Sequence, residues 1–168
     1  MESFLVSVER QAYRMAEIGT GSSEEALDIV QEAMFGFVRK YSDRPDDEWR
    51  PLFFRILQNK IRDWHRKAKI RKGLGLFWPF NKSDEESSIQ DLPDAKEADA
   101  ATVMESSDSI EAMHAAIGAL PLRQQQAFLL RAWEEFSVKE TAEIMEVSEG
   151  SVKTHFSRAI TALRESLK

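Results

Sequence analysis

A chain of 168 residues suits one ordinary domain or two small ones, and a hydrophobic share of 42% is enough for a packed core. Cysteine is absent, which excludes disulfides, a thiolate metal site and a thiol nucleophile. The net charge of −6 would by itself argue against nucleic acid as a partner, but the charge is unevenly spread. Residues 50–72 hold nine basic groups against Asp63 alone, a balance of +8, whereas residues 81–111 sum to −8 and residues 1–49 to −6. A basic cassette therefore sits between two acidic regions. The opening Met1-Glu2-Ser3-Phe4 has no basic stretch leading into an apolar one. No apolar run approaches the roughly 18 residues of a membrane span. A cytoplasmic protein without membrane insertion is expected.

Apolar residues recur at spacings of three and four, and β-branched alternation is missing, so the pattern predicts an all-α chain. A first helix is expected from about Phe4 to Ile18, stopping at Gly19-Thr20-Gly21. Ser22-x-x-Glu25 reads as a capping box for a second, whose inner face carries Ala26, Val30, Ala33 and Phe37. Residues 42–47 are turn chemistry, and a third helix is expected over roughly Arg50 to Arg71. In it Phe53, Leu57, Ile61, Trp64 and Ala68 form an apolar stripe, while Arg55, Asn59, Arg62, Arg66 and Lys69 form a polar and basic one. One face is set to pack and the other to track phosphate.

The composition changes at Gly73. Residues 73–107 read as a flexible linker: an apolar piece with Leu74, Leu76, Phe77, Trp78 and Phe80, then an acidic stretch of little periodicity. Helices are expected to resume near Asp108, with another opened by Pro121 and running to Trp133. Ser137-Val138-Lys139-Glu140 is a capping box, Met145-Glu146-Val147 a turn, and Ser148 the cap of a helix with Val152, Phe156, Ile160 and Leu163 inside. Two helices and a tight turn make a helix-turn-helix layout, in which the start of the second helix enters the DNA major groove. Ser151, Lys153, Thr154, His155, Ser157 and Arg158 are its expected outward residues. Periodicity alone leaves a helical hairpin with a solvated polar face equally open.

No catalytic constellation is legible. His65, His114 and His155 stand far apart and form no HExxH-like spacing, and Gly73-x-Gly75 lacks the third glycine and the strand of a phosphate loop. Neither enzymatic activity nor a metal or other cofactor is expected.

The stretches 119–128, 140–144 and 150–159 resemble region 4 of bacterial RNA polymerase sigma factors, and also the DNA-binding domain of LuxR-type regulators. The N-terminal half separates the two. Asp28-Ile29-Val30-Gln31-Glu32-Ala33-Met34-Phe35 resembles sigma region 2.2, and Trp49 to Lys67 resembles regions 2.3 and 2.4. Arg55, Ile56, Asn59, Asp63 and Arg66 match that pattern, whereas Leu52 and Pro51 depart from it. The order of parts, without a middle domain, resembles the extracytoplasmic-function (ECF) subfamily. A LuxR-type regulator, which would need an α/β sensing domain, is the alternative.

The resemblance implies two small helical domains, residues 1–72 (region 2) and 108–168 (region 4). It implies Asp28, Gln31 and Glu32 as contacts to the clamp helices of the largest subunit of core polymerase. Trp49, Arg55, Asn59, Arg62 and Arg66 fall to the single-stranded −10 element. Ser151, Lys153, Thr154, His155 and Arg158 fall to the duplex −35 element, with His155 standing where an arginine is common. It also implies a loop before the third helix that shapes a pocket for a flipped base, a linker that threads polymerase, and an anti-sigma factor as a further partner.

Overall fold

The computed structural model describes residues 1–72 and 110–168; the expected linker and its apolar piece lie outside the described residues. Within them all regular structure is helical. In chain order these are α1 (Glu2–Thr20), α2 (Ser23–Tyr41), a 3-10 turn (Asp46–Glu48) and α3 (Trp49–Arg71). Then come α4 (Ile110–Gly118), α5 (Leu122–Phe128) running on through a wide π turn (Leu129–Trp133), α6 (Val138–Met145) and α7 (Glu149–Ser166).

The first three helices pack on a seam that is narrow at one end and aromatic at the other. Ala12, Ala16, Ala26 and Ala33 are fully buried, so the axes approach closely. At the aromatic end Phe37 and Phe53 meet edge to face at 5.9 Å, and Phe4 lies 5.4 Å from Phe37. α1 stops within the expected Gly19-Thr20-Gly21, at its last residue and not at Gly19. Gly19 lies inside the helix because the contact demands it: a Cβ there would come within 2.9 Å of Ile61 Cγ2 on α3. The stop is Gly21, in the left-handed region at φ 71°, whose N–H donates to Glu17 O at 2.8 Å.

Ser22 caps α2 by accepting from the Glu25 N–H at 3.3 Å, but the return half of the expected capping box is replaced. The Ser22 N–H donates instead to Thr20 Oγ1 at 3.2 Å. Pro51 falls in the first turn of α3, where a missing N–H breaks no helical hydrogen bond.

In the C-terminal half Phe128, Leu130, Ile144, Met145, Val152, Ile160 and Leu163 are buried together. The Ser137/Glu140 capping box forms in full, with Ser137 N donating to Glu140 Oε2 at 2.8 Å and Glu140 N to Ser137 Oγ at 3.1 Å. The turn between α6 and α7 is built on Glu146, a non-glycine residue in the left-handed region at φ 59°. Phe156 is only half-buried and stacks on Phe128 at 6.3 Å.

The two halves are in contact through α3. Phe54 of α3 and Phe136, which follows the wide turn, meet at 5.5 Å and are both buried. The buried Gln126 donates from Nε2 to the Gln58 carbonyl at 3.3 Å, tying the start of the C-terminal half to the middle of α3. Hiding one phenylalanine from water stabilises by about 1.5–3 kcal/mol, so this small contact holds the halves together appreciably.

Candidate nucleic-acid interface

Three surfaces carry the residues expected to be functional. The first is the outer face of α2. The core-facing residues Ala26, Ile29, Val30, Ala33 and Phe37 leave Asp28, Gln31 and Glu32 exposed as one patch. Glu32 pairs with Lys60 of α3 at 3.2 Å. Beside the patch stand apolar side chains that sequence reasoning missed: Leu27, Val38 and Phe35, the last 75% exposed. Leu27, Gln31 and Phe35 recur every fourth residue, a second stripe offset from the core stripe. The stronger inner stripe hid it from a periodicity reading.

The second surface is the basic face of α3. The structure brings Arg55, Asn59, Arg62 and Arg66 onto it at helical spacing. Asn59 Oδ1 accepts from Arg62, and Arg66 pairs with Asp63 at 3.6 Å. Trp49 stands apart from this group. Its ring packs between Phe4 and Phe37, at 5.7 and 6.3 Å, and its Nε1–H donates to Arg44 O at 2.9 Å. Trp49 thus anchors the exposed loop 42–48 rather than lining the basic face. His65, on the same helix, is half-buried with Nε2 2.6 Å from Gly19 O. Burial holds its pKa below the ordinary histidine value, against the raising effect of that carbonyl and with Lys69 and Lys72 adding repulsion.

Carboxylates from the C-terminal half cover part of this basic face. Arg55 donates from Nε and Nη2 to Glu146 Oε1 at 3.2 and 2.5 Å, and Arg62 Nη2 reaches Oε2 of the same carboxylate at 3.2 Å. Arg50 Nη2 donates to both the carbonyl and Oε2 of Glu134, each at 2.7 Å, while its guanidinium lies over the Phe136 ring at 4.3 Å. Glu146 is held below the ordinary carboxyl pKa chiefly by the hydrogen bond from Arg55, with Arg62 adding to it. Glu134 goes the other way: burial raises it by more than Arg50 lowers it.

The third surface is the start of α7. Lys153 and Arg158 are exposed, and Thr154, His155 and Ser157 are half-buried on the same side. Ser151 does not join them, contrary to expectation. It is 6% exposed, its N–H donates to Ser148 Oγ at 3.1 Å, and the two hydroxyls are 2.9 Å apart. It completes the N-terminal cap of α7. Arg123 of α5 donates to Met145 O at 3.0 Å and closes the end of α6, which fixes the angle at which α7 is presented.

The model of sigma-70 region 2 matches residues 1–70, and that of sigma-70 region 4 matches residues 110–163. The chain is 28% identical over 145 residues to the RNA polymerase sigma-E factor of Streptomyces antibioticus, covering 86% of this chain and 71% of that protein. It is 28% identical over 159 residues to the ECF RNA polymerase sigma factor SigM of Mycobacterium tuberculosis, covering 94% and 72%. This chain belongs to the ECF sigma factors. A third relative of the sigma factor is SigV of Bacillus subtilis, 27% identical over 156 residues, covering 92% of this chain and 83% of that one. Its fold is that of the sigma factor RpoE from Bartonella quintana, solved in complex with the anti-sigma factor NepR. The TM-score is 0.70 at 22% identity, over 99% of this chain and 95% of that one. The ECF sigma factor thus directs RNA polymerase to promoters in transcription initiation, and the LuxR-type alternative is not favoured. Among its described residues no helix is long and apolar enough to cross a membrane.

Proposed function

We propose that the three surfaces divide the work of initiation as follows. Residues 1–72 form the unit that docks on core polymerase and holds the −10 element. Residues 108–168 form the unit that reads the −35 element, and residues 73–107 link them. The outer face of α2, with Asp28, Gln31 and Glu32, meets the clamp helices of the largest polymerase subunit, and Leu27 and Phe35 supply the apolar area such a contact needs. Arg55, Asn59, Arg62 and Arg66 follow the phosphates of the opened −10 strand, and Trp49 fixes the loop 42–48 beside them. Lys153, Thr154, His155 and Arg158 face the −35 duplex, the cations meeting phosphates or guanine edges. Polymerase carries the catalytic metal and the chemistry. An anti-sigma factor is a further partner, as for the Bartonella relative, and the cytoplasm is where the chain acts.

The observation that carries this reading is the α2 face: a phenylalanine three-quarters exposed beside an acidic and amide patch, on a helix whose other side is fully packed. Run-off transcription with purified core tests it. Wild type should start transcription from a promoter library, while Asp28→Arg and Phe35→Asp should lower the affinity for core by about tenfold or more, equivalent to ~1.4 kcal/mol. Full-strength core binding by both variants would remove the assignment.

A further inference from the structure

The donors assigned above to the −10 strand are already engaged. Arg55 and Arg62 converge on the two oxygens of one carboxylate, Glu146, an arrangement that resembles two guanidiniums on one phosphate. Glu146 projects from the helix-turn-helix turn, the device that reads duplex DNA at the other end of the promoter. Its backbone is left-handed at φ 59°, a conformation that glycine or asparagine adopts more readily, so a local preference does not explain glutamate at this place. A second carboxylate, Glu134, is 6% exposed and holds Arg50, next to the buried Phe54–Phe136 contact. The polar contacts thus rim an apolar one, and both carboxylates come from the same half. The outer face of α2 is on another side, and Asp28, Gln31 and Phe35 are exposed in this closed arrangement.

We propose that Glu146 is a built-in phosphate mimic. In the free chain it holds the C-terminal half over the basic face of α3 and excludes single-stranded DNA from it. The inference rests on the assignment of Arg55 and Arg62 to the −10 strand. One set of N–H donors cannot serve Glu146 and a DNA phosphate together, so the strand binds only chains in which the clasp has opened. The apparent affinity of the free chain falls in proportion to that open fraction. Because Glu146 is tethered, it competes at a high effective concentration that dilute DNA does not match. The polymerase-facing side of α2 stays accessible throughout, so the closed chain can dock first and be opened afterwards, and DNA engagement follows docking.

The test uses the full chain, free in solution, and a short fluorescent single-stranded DNA of mixed sequence, since phosphate tracking does not depend on sequence. Glu146→Gln and Glu146→Lys are compared with Glu143→Lys, which makes the same charge change as Glu146→Lys at an exposed position on α6 that forms none of the ion pairs to Arg50, Arg55 or Arg62. Fluorophores on α2 and α7 report the separation of the halves. The clasp requires tighter DNA binding by about three- to tenfold for Glu146→Gln and more for Glu146→Lys, with a wider separation, and well under half that gain for Glu143→Lys. Affinities and separations of the Glu146 variants no different from those of wild type and Glu143→Lys would overturn it. A parallel arm measures promoter opening by polymerase reconstituted with Arg55→Ala/Arg62→Ala. Opening lost in that arm, with no gain from the Glu146 variants, sinks the clasp alone. Opening undiminished there sinks the −10 assignment, and the clasp's role in DNA exclusion with it.

Discussion

The two cationic faces of this sigma factor are in opposite states. On α3, Arg50, Arg55 and Arg62 each have a carboxylate from the other half within 3.2 Å. On α7, among the described residues, no carboxylate forms an ion pair with Lys153 or Arg158. The covered face is the one assigned to a melted strand, and the open one is assigned to duplex. A surface for single strands is the greater hazard to a free protein, because it takes any unpaired nucleic acid by charge and stacking. A duplex reader is protected by the shape of its groove and by base-edge chemistry. Cover is found where sequence selectivity is weakest.

The largest blow to this contrast is at the apolar base of the contact. Phe136→Ala removes a buried ring that touches Phe54, and a loss of about 3–5 kcal/mol is expected in urea unfolding of the whole chain. If the halves were merely tethered, the loss would be far smaller. Arg50→Met sharpens the polar part. It strands Glu134 at 6% exposure without its cation; since Arg50 itself is 44% exposed, the expected loss is only about 1–2 kcal/mol. Arg50→Met matching wild type in the same unfolding experiment would show that the pair contributes nothing.

On the open face the effect is on selectivity. His155→Arg places at this position the arginine that the sigma-factor resemblance implies, and a change of ~1–3 kcal/mol in preference at one upstream base is expected. Selection from a randomised −35 library with reconstituted polymerase reads it. Downstream preference should stay as it was, and a change confined to the −10 letters would reverse the assignment of the two faces.

The smallest effect is in the pH dependence. Glu146 has a depressed pKa in the closed form, so its contribution to closure is complete above the ordinary carboxylate value and is lost only as pH falls through the depressed one. Glu134 has a raised pKa, so its own titration runs in the opposite sense and takes place first on acidification. Fluorophores on the two halves should therefore report closure that persists through mild acid and weakens below the range of free carboxylates. Glu146→Gln should lack that late step, and an identical acid profile for wild type and variant would count against the clasp.

What could be read from the sequence was what is local. The Ser137/Glu140 capping box, Pro121, the cap at Ser148 and the span of α3 were legible because each depends on residues within one turn. Of the Gly19-Thr20-Gly21 stop it is Gly21 that ends the helix, and the reason for Gly19 is tertiary: Ile61, 42 positions away, leaves no room for a Cβ. Ser151 was misread because its hydroxyl is drawn in by Ser148, a choice between cap and solvent that a helical wheel cannot register. The Arg50–Glu134 and Arg55–Glu146 pairs join residues 84 and 91 apart and leave no period in the chain. Trp49 carries the right residue type for a base-stacking role, but the aromatic cluster around Phe4 and Phe37 claims its ring.

The alanine-lined seam of the first three helices has a mechanical consequence. α2 carries the face assigned to polymerase and α3 the face assigned to DNA, and both pack with α1 in one buried core in which Ala12, Ala16, Ala26 and Ala33 are fully enclosed. The three helices therefore behave as a jig: one face is bolted to the machine, and the other face sets the alignment of the workpiece. With a Cβ at position 19 of α1 only 2.9 Å from Ile61 of α3, Gly19→Ala would shim one end of the jig and tilt α3 against α1. A tilt of a few tenths of an ångström is comparable with the tolerance of about 0.5 Å that binding constellations allow, and it would be delivered to every phosphate-tracking side chain at once.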